Sequence, residues 1–64
     1  MEDKLLTLIE VARILTVHPN TVRNLVKRGV LPVVRVGSAM RFEWDDVREY
    51  ISDNTERNEV PSDG

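Results

Sequence analysis

Ten polar or basic side chains in the middle of the sequence have the chemistry needed to bind nucleic acid. Asparagine can pair with adenine, arginine can pair with guanine, and the methyl group of threonine can contact that of thymine. Lysine and arginine also neutralise phosphate groups. The candidate DNA-binding residues are His18, Asn20, Thr21, Arg23, Asn24, Lys27, Arg28, Arg35, Ser38 and Arg41.

The distribution of charge supports this prediction, although the net charge does not. The 64 residues include 9 Lys or Arg and 11 Asp or Glu, which gives a formal net charge of −2. Residues 11–42, however, contain six basic residues and no acidic one, whereas residues 43–64 contain eight acidic and two basic residues. A basic block that also folds compactly is typical of a phosphate-binding surface.

Two short helices joined by a tight turn are predicted to position the first group of candidates. Thr7 and Glu10 form a T-x-x-E capping box, and apolar residues then repeat at three- and four-residue spacing. Pro19 suits the first position of a second helix, with His18 at its cap and Gly29 as its stop signal. Two helices separated by about three residues indicate a helix-turn-helix.

A β-hairpin is predicted to position the remaining candidates. Residues 34–36 and 40–42 each place one arginine, Arg35 or Arg41, between two apolar residues, as alternating strands do. Residues 37–39, Gly-Ser-Ala, are a suitable connection between the strands. We therefore expect both arginines to point away from the apolar face of the hairpin, which would form a basic wing.

Each group of polar side chains also has a simpler interpretation. The second helix could be an ordinary amphipathic helix with a polar outer face, and periodicity alone does not distinguish the two. The hairpin arginines could pair with Asp45 or Asp46. His18 could have a structural role at the helix start instead of facing a phosphate. The combination of a helix, a tight turn, a polar helix and a basic hairpin favours DNA binding.

The predicted fold class is α+β, a winged helix-turn-helix with three short helices and a two-stranded hairpin wing. A third helix is predicted to begin between Glu43 and Asp45, where acidic residues suit the positive end of the helix dipole. We predict a flexible N-terminus over residues 1–5, the folded domain over residues 6–52, and a disordered acidic tail over residues 53–64.

An enzymatic function is not predicted. The acidic group Glu43, Asp45 and Asp46 is explained by its place at a helix start, and no nucleophile accompanies it. The sequence has no cysteine and one histidine, so neither a metal site nor a cofactor is expected. No signal peptide, membrane segment or small-molecule substrate is indicated, and a cytoplasmic protein is expected.

Several of these motifs together resemble the excisionase family of small MerR-like winged-helix domains. That family combines an E-x-A helix, a T-V pair, a basic G-x-L-P segment, an R-x-G wing, an R-[FYI] strand and an acidic final helix. The resemblance covers residues 6–52. The matching elements are Glu10 and Ala12, Thr21-Val22, Gly29 to Pro32, Arg35 to Gly37, Arg41-Phe42, and Asp46 to Ile51.

The resemblance implies that the second helix enters the major groove of duplex DNA and that the wing lies on the adjacent minor groove. It also implies a transcriptional regulator or a recombination directionality factor, with an integrase, a recombinase or another copy of itself as partner. Two positions depart from the family pattern, Thr16 in place of a frequent glycine and a wing tip without additional arginine. The alternative is a protein-interaction module, or a fragment of a larger recombinase or regulator, that docks through its acidic third helix and tail.

Overall fold

The computed structural model describes residues 4–56, which form an α+β domain with three helices and a three-stranded antiparallel sheet. This architecture confirms the predicted winged helix-turn-helix. In chain order, the elements are β1 (Leu6–Thr7), α1 (Leu8–Leu15), α2 (Pro19–Lys27), β2 (Val34–Val36), β3 (Ala39–Phe42) and α3 (Trp44–Asp53).

A small apolar core joins the three helices to the sheet. Among the described residues no polar or charged side chain is buried, so hydrophobic contact is the main source of cohesion. The helices contribute their inward-facing residues, β3 contributes its only aromatic residue, and the segment between α2 and β2 adds a leucine. The buried residues are Val11, Ala12, Val22, Leu25, Leu31, Phe42 and Val47.

The predicted capping box starts α1. The Thr7 backbone N–H donates to Glu10 Oε1 at 2.9 Å, and the Glu10 backbone N–H donates to Thr7 Oγ1 at 3.1 Å. Two N–H groups that a helix terminus leaves without partners are thereby satisfied. Because Thr7 also ends β1, the same residue connects the sheet to the helix-turn-helix.

Helix α1 ends in a turn that holds a threonine in the left-handed region. Thr16 has φ 59° and ψ 48°. The Val17 backbone N–H donates to the Ala12 carbonyl at 2.9 Å, and the Thr16 N–H donates to the Arg13 carbonyl at 3.2 Å. This hydrogen-bond pattern is a Schellman motif, in which the left-handed position is usually glycine. The β-branched side chain of Thr16 strains this position, which is the one where the family pattern often has glycine.

Thr16→Gly is therefore expected to stabilise the domain by about 0.5–1 kcal/mol, since relief of left-handed strain outweighs the added freedom of the unfolded chain. The melting temperature should rise by about 4 °C. Thr21→Gly is the matched control, because it removes the same side chain from a right-handed helical residue and should destabilise by about 0.3–0.5 kcal/mol. A lower melting temperature for Thr16→Gly would contradict the strain.

Helix α2 has the predicted start and stop. Pro19 occupies its first turn, and Gly29 follows its C-terminus with φ +74°. The Val30 backbone N–H donates to the Leu25 carbonyl at 3.0 Å, and the Gly29 N–H donates to the Val26 carbonyl at 3.0 Å. This second Schellman motif, here with glycine in the left-handed position, directs the chain from α2 into the hairpin.

The sheet has one strand more than the sequence predicted. Its order is β1-β3-β2, so β3 is the central strand. Leu6 pairs with Phe42 and Thr7 pairs with Arg41, both in antiparallel register. The prediction of a two-stranded wing missed β1, because two residues are too few to show a period of two in the sequence.

The register of the hairpin also differs from the prediction. Ala39 belongs to β3 and pairs with Val36, so the turn is Gly37-Ser38, with positive φ at Gly37 as a type II′ turn requires. A three-residue connection over 37–39 would have paired Arg35 with Arg41. In the observed register Arg35 lies opposite Met40, while Arg41 lies opposite Val34.

The two hairpin arginines consequently lie on opposite faces of the sheet. Directly paired residues share a face, and residues alternate along a strand. Arg35 shares the face of Met40 and the buried Phe42, whereas Arg41 shares the other face with Val34 and Val36. The prediction that both arginines point away from the apolar face is wrong, because the turn is one residue shorter than expected.

Helix α3 begins within the predicted range and continues to Asp53. The two following residues hydrogen-bond back to it, Asn54 Nδ2 to the Tyr50 carbonyl at 2.9 Å and Thr55 Oγ1 to the Ile51 carbonyl. Asp53 to Thr55 of the predicted disordered tail therefore belong to this helix or are hydrogen-bonded to it. Residues 1–3 of the predicted flexible N-terminus and residues 57–64 of the tail lie outside the described part of the chain.

Candidate nucleic-acid interface

An open groove of about 410 Å³ lies between α2 and the hairpin. It contains five of the ten candidate DNA-binding residues, four from α2 and one from β2. Three of these side chains are cationic and two are carboxamides, and no acidic residue lines the groove. The lining residues are Asn20, Arg23, Asn24, Val26, Lys27, Arg35 and Met40.

The spacing of the α2 residues explains why they share this groove. Positions 20, 23, 24 and 27 follow the three- and four-residue intervals of one helix face. All four side chains are exposed, while Val22 and Leu25 on the opposite face are buried. The amphipathic pattern of α2 therefore directs its polar face outward.

The hairpin register brings Arg35 to the same groove. Arg35 lies opposite Met40 on the sheet face that packs towards the core, and both residues line the groove beside α2. The side chain of Arg35 is exposed even though its strand position faces inward. A long side chain at the edge of the core can keep its charged end in solvent while its methylene groups contact apolar neighbours.

Asn20 and Arg23 are joined by a hydrogen bond. The Arg23 Nη1 group donates to Asn20 Oδ1 at 3.0 Å, between exposed side chains three residues apart. The sequence placed both residues on the predicted contact face but gave no indication that they interact. The bond couples the orientation of the arginine to the start of the helix.

His18 caps the N-terminus of α2. Its Nδ1 accepts a hydrogen bond from the Asn20 backbone N–H at 3.0 Å, and its φ and ψ of −69° and 147° are those of an N-cap residue. With Nδ1 accepting, Nε2 is the ring nitrogen that can donate outward. The structural role that the sequence left open for His18 is thus present.

His18→Ala is expected to lower the free energy of unfolding by about 1 kcal/mol, because the Asn20 N–H loses its acceptor. His18→Asn should retain most of the stability, since asparagine is a favoured N-cap residue. Chemical denaturation of the two variants beside the wild type measures the difference. Equal stability of all three proteins would show that the cap hydrogen bond makes no net contribution.

The other candidate residues lie outside the groove. Thr21 and Arg28 are exposed on α2 and at its C-cap, and Ser38 is exposed in the hairpin turn. Arg41 is partly buried, and its Nη1 group donates to the Met40 carbonyl at 2.8 Å. The structure therefore brings Arg35 to the α2 residues and leaves Arg41 on the opposite face of the sheet.

Two apolar residues of the groove, Val26 and Met40, were not among the sequence candidates. Val26 is partly buried at the side of α2, and Met40 faces the groove because it pairs with Arg35. The correct hairpin register would have identified Met40. Nothing in the periodicity of α2 separates Val26 from an ordinary core position.

The acidic residues gather on another part of the surface. Asp46, Glu49 and Asp53 line a depression between α3 and the segment that follows α2, together with Tyr50. The basic groove and this acidic surface reproduce in space the division of charge along the sequence. A polyanion would be attracted to the first surface and repelled by the second.

Residues 4–56 have neither a metal-binding cluster nor a membrane-spanning helix. No three His, Cys, Asp or Glu side chains there come together in a way that could hold a metal ion. In the same range, no helix has both the length and the apolar character needed to cross a membrane.

A helix-turn-helix, a sheet packed against it and a basic groove beside the second helix define a DNA-binding protein of the helix-turn-helix class. The sequence profile of a helix-turn-helix domain family matches residues 5–55. This match covers most of the chain, and the protein belongs to that family. The predicted resemblance to small excisionase-like domains is thereby confirmed at the level of the family.

A similar sequence occurs in a protein of Bacillus subtilis (strain 168), the uncharacterized protein YvgK. The two are 48% identical over 44 residues, which are 69% of this chain. The matched segment is 14% of the length of YvgK, so the similarity concerns one part of a longer protein. No solved structure matches the chain.

Proposed function

We propose that this protein binds duplex DNA specifically, with α2 in the major groove and with Arg35 beside it on the same surface. The observation that carries the proposal is the groove in which Arg23, Lys27 and Arg35 lie together with two asparagines. Cations supply affinity for phosphate, and carboxamide and guanidinium groups recognise base edges. The proposed activity is binding without catalysis.

The dimensions of α2 suit this arrangement. An α-helix with its side chains is about 10–12 Å in diameter, and the major groove is about 12 Å wide, so it accepts such a helix. The nine residues of α2 would extend about 13 Å along the groove. The N-terminal part of the helix carries Asn20, Arg23 and Asn24, where a recognition helix contacts bases. Lys27 at the last turn is placed for the phosphate backbone.

The hairpin extends the proposed surface beyond α2. Arg35 contributes a charge on the same groove, and the exposed turn Gly37-Ser38 could approach the adjacent minor groove. Ser38 would then donate to a phosphate. Arg41 is outside this surface in our proposal, because the register places it on the opposite face of the sheet.

Selection from a random pool of duplexes, followed by affinity measurements over a range of salt concentrations, tests the proposal. We expect one sequence motif to be enriched. The logarithm of the affinity should fall with the logarithm of the salt concentration, at a slope between about −3 and −5 for three to five neutralised phosphates. An unenriched pool, or binding that does not depend on salt, would overturn the proposal.

The biological role proposed for this binding is transcriptional regulation or control of the direction of recombination. Both roles need the same DNA-binding surface, and fold alone does not separate them. A circular-permutation assay on the selected duplex tests the recombination role, with an integrase as partner, since a recombination factor of this kind bends its site. Unbent DNA would argue against that role, whereas bent DNA would fit both roles because transcriptional regulators also bend DNA.

Helix α3 supports a second candidate function, the docking of a basic partner protein. Trp44 and Ile51 are 44% and 40% exposed and line one depression with Asp45, Arg48 and Glu49. The border of this apolar patch carries two acidic residues and one basic residue, and it fits a segment that combines basic and apolar residues. This domain would then be a protein-interaction module, or a fragment of a larger recombinase or regulator, that docks on its partner through α3.

The single tryptophan of the sequence gives a direct test of docking. A synthetic peptide of alternating lysine and leucine, added in the absence of DNA, should shift the fluorescence of Trp44. DNA is left out because a lysine-rich peptide also binds duplex DNA directly. Trp44 fluorescence that does not respond to the peptide would overturn the docking role.

A further inference from the structure

We propose that Asn20 is a positioning residue that orients Arg23 towards a guanine, and that Asn20 does not itself recognise a base. This inference rests on the proposed function and deepens it, because it assigns the base that the centre of α2 selects. It departs from the simplest expectation for an exposed asparagine on a recognition helix, which is a pair of hydrogen bonds to adenine.

The first observation that supports this role is the geometry of the hydrogen bond between Asn20 and Arg23. Asn20 Oδ1 accepts from Arg23 Nη1 at 3.0 Å. Two hydrogen bonds to adenine would require this same oxygen to accept a second hydrogen bond, from the base, while the amide nitrogen donates to the base. The carboxamide orientation that suits Arg23 would then also have to suit the adenine. In the observed arrangement the acceptor of Asn20 is directed to Arg23. The carboxamide is therefore arranged to hold the arginine.

The second observation is that Arg23 keeps enough N–H donors to bind a guanine. A guanidinium group has five N–H donors in one plane, and the bond to Asn20 uses one of them. The others can donate two parallel hydrogen bonds to O6 and N7 of a guanine. Arg23 is exposed and lines the groove, so these donors are accessible to a base edge.

The third observation is that the start of α2 fixes the backbone of Asn20. The Asn20 backbone N–H donates to the cap residue His18, and Pro19 precedes it with a fixed φ. An arginine held by such a residue loses less freedom when it binds. The gain in affinity from this restriction is up to about tenfold.

A double-mutant cycle on the selected duplex tests the inference. The proteins are the wild type, Asn20→Ala, Arg23→Ala and the double variant, each measured against the selected duplex and its single-base variants. We expect Arg23→Ala to weaken binding about tenfold and to remove the preference for guanine at one position. Asn20→Ala should weaken binding by about three- to tenfold and reduce the preference at that same position.

The double variant distinguishes positioning from direct recognition. If Asn20 acts through Arg23, the double variant binds as Arg23→Ala does. Effects that add, with a preference lost at a second base pair, would show that Asn20 recognises its own base and would overturn the inference. An Asn20→Ala variant with wild-type affinity and preference would also overturn it.

Asn20→Asp provides the conservative variant. It keeps an acceptor oxygen at the same place, so the preference for guanine should persist, while the added negative charge weakens binding to all sequences equally. Loss of the preference in Asn20→Asp would contradict positioning by Oδ1. A wild type that selects no sequence would instead refute the proposed function, so the two failures remain distinguishable.

Discussion

Arg35→Glu should weaken binding to the selected duplex by about 100-fold at low salt, because it removes one phosphate contact and introduces one repulsion. The salt dependence should become shallower by at least about one unit of slope. Arg35 lies in the groove beside α2, so the change affects the proposed contact surface directly. Fluorescence anisotropy at several salt concentrations measures both effects.

Arg41→Glu is the matched control, because it changes the net charge of the protein by the same amount. Its position on the opposite face of the sheet predicts a loss of less than about tenfold, from long-range repulsion alone. Circular dichroism checks that both variants fold. If Arg41→Glu does not fold, the pair Arg35→Gln and Arg41→Gln is compared instead. Equal losses for the two positions would contradict the register-based assignment.

Phe42→Ala should destabilise the domain by about 3–5 kcal/mol, which is as much as the whole core of a domain of this size contributes. Phe42 is fully buried on the central strand and pairs with Leu6 of β1. Its removal leaves a cavity where the sheet meets the helices. We expect the variant to be largely unfolded at 25 °C by circular dichroism and to bind no duplex.

Two other variants are expected to stay folded, so their loss of stability can be measured and compared with that of Phe42→Ala. Phe42→Leu retains most of the buried volume and should lower the stability by about 1 kcal/mol, with DNA binding intact. Val36→Ala shortens a side chain on β2 that is 52% exposed, and it should change the stability by less than about 1 kcal/mol. A cooperative transition for Phe42→Ala at the wild-type temperature would contradict the central place of this residue.

The helix boundaries could be predicted from the sequence because their signals are local. The Thr7–Glu10 capping box, Pro19 at the start of α2 and Gly29 at its end each involve residues within one helical turn. Such interactions depend on residue type and spacing alone. The polar face of α2 followed from the same periodicity, and four of its five predicted residues line the groove, while Thr21 does not.

The sheet could be predicted only in part because pairing is non-local. The pairs of Leu6 with Phe42 and Thr7 with Arg41 join residues far apart in the sequence, and neither residue of β1 indicates its partner. The face of every hairpin side chain depends on whether the turn has two or three residues. Ala39 lies in β3 and not in the turn, and this register places Arg35 and Arg41 on opposite faces of the sheet.

The hydrogen bond between Asn20 and Arg23 joins residues that are close in the sequence, as the helix caps do, but it could not be predicted. Their separation of three residues is compatible with a contact on a helix, yet the same spacing also occurs between side chains that never meet. The sequence therefore supplied the candidates for DNA recognition, and the structure supplied the relation between them.

The measurement that most directly tests the shared DNA surface of α2 and Arg35 is an NMR titration of the wild-type protein with the selected duplex. Backbone amides of α2 and β2, and the side-chain N–H signals of Arg23 and Arg35, are expected to shift most. The amides of α3 should change little, because this helix carries the acidic surface. Largest shifts along α3, with α2 unaffected, would contradict the proposed interface.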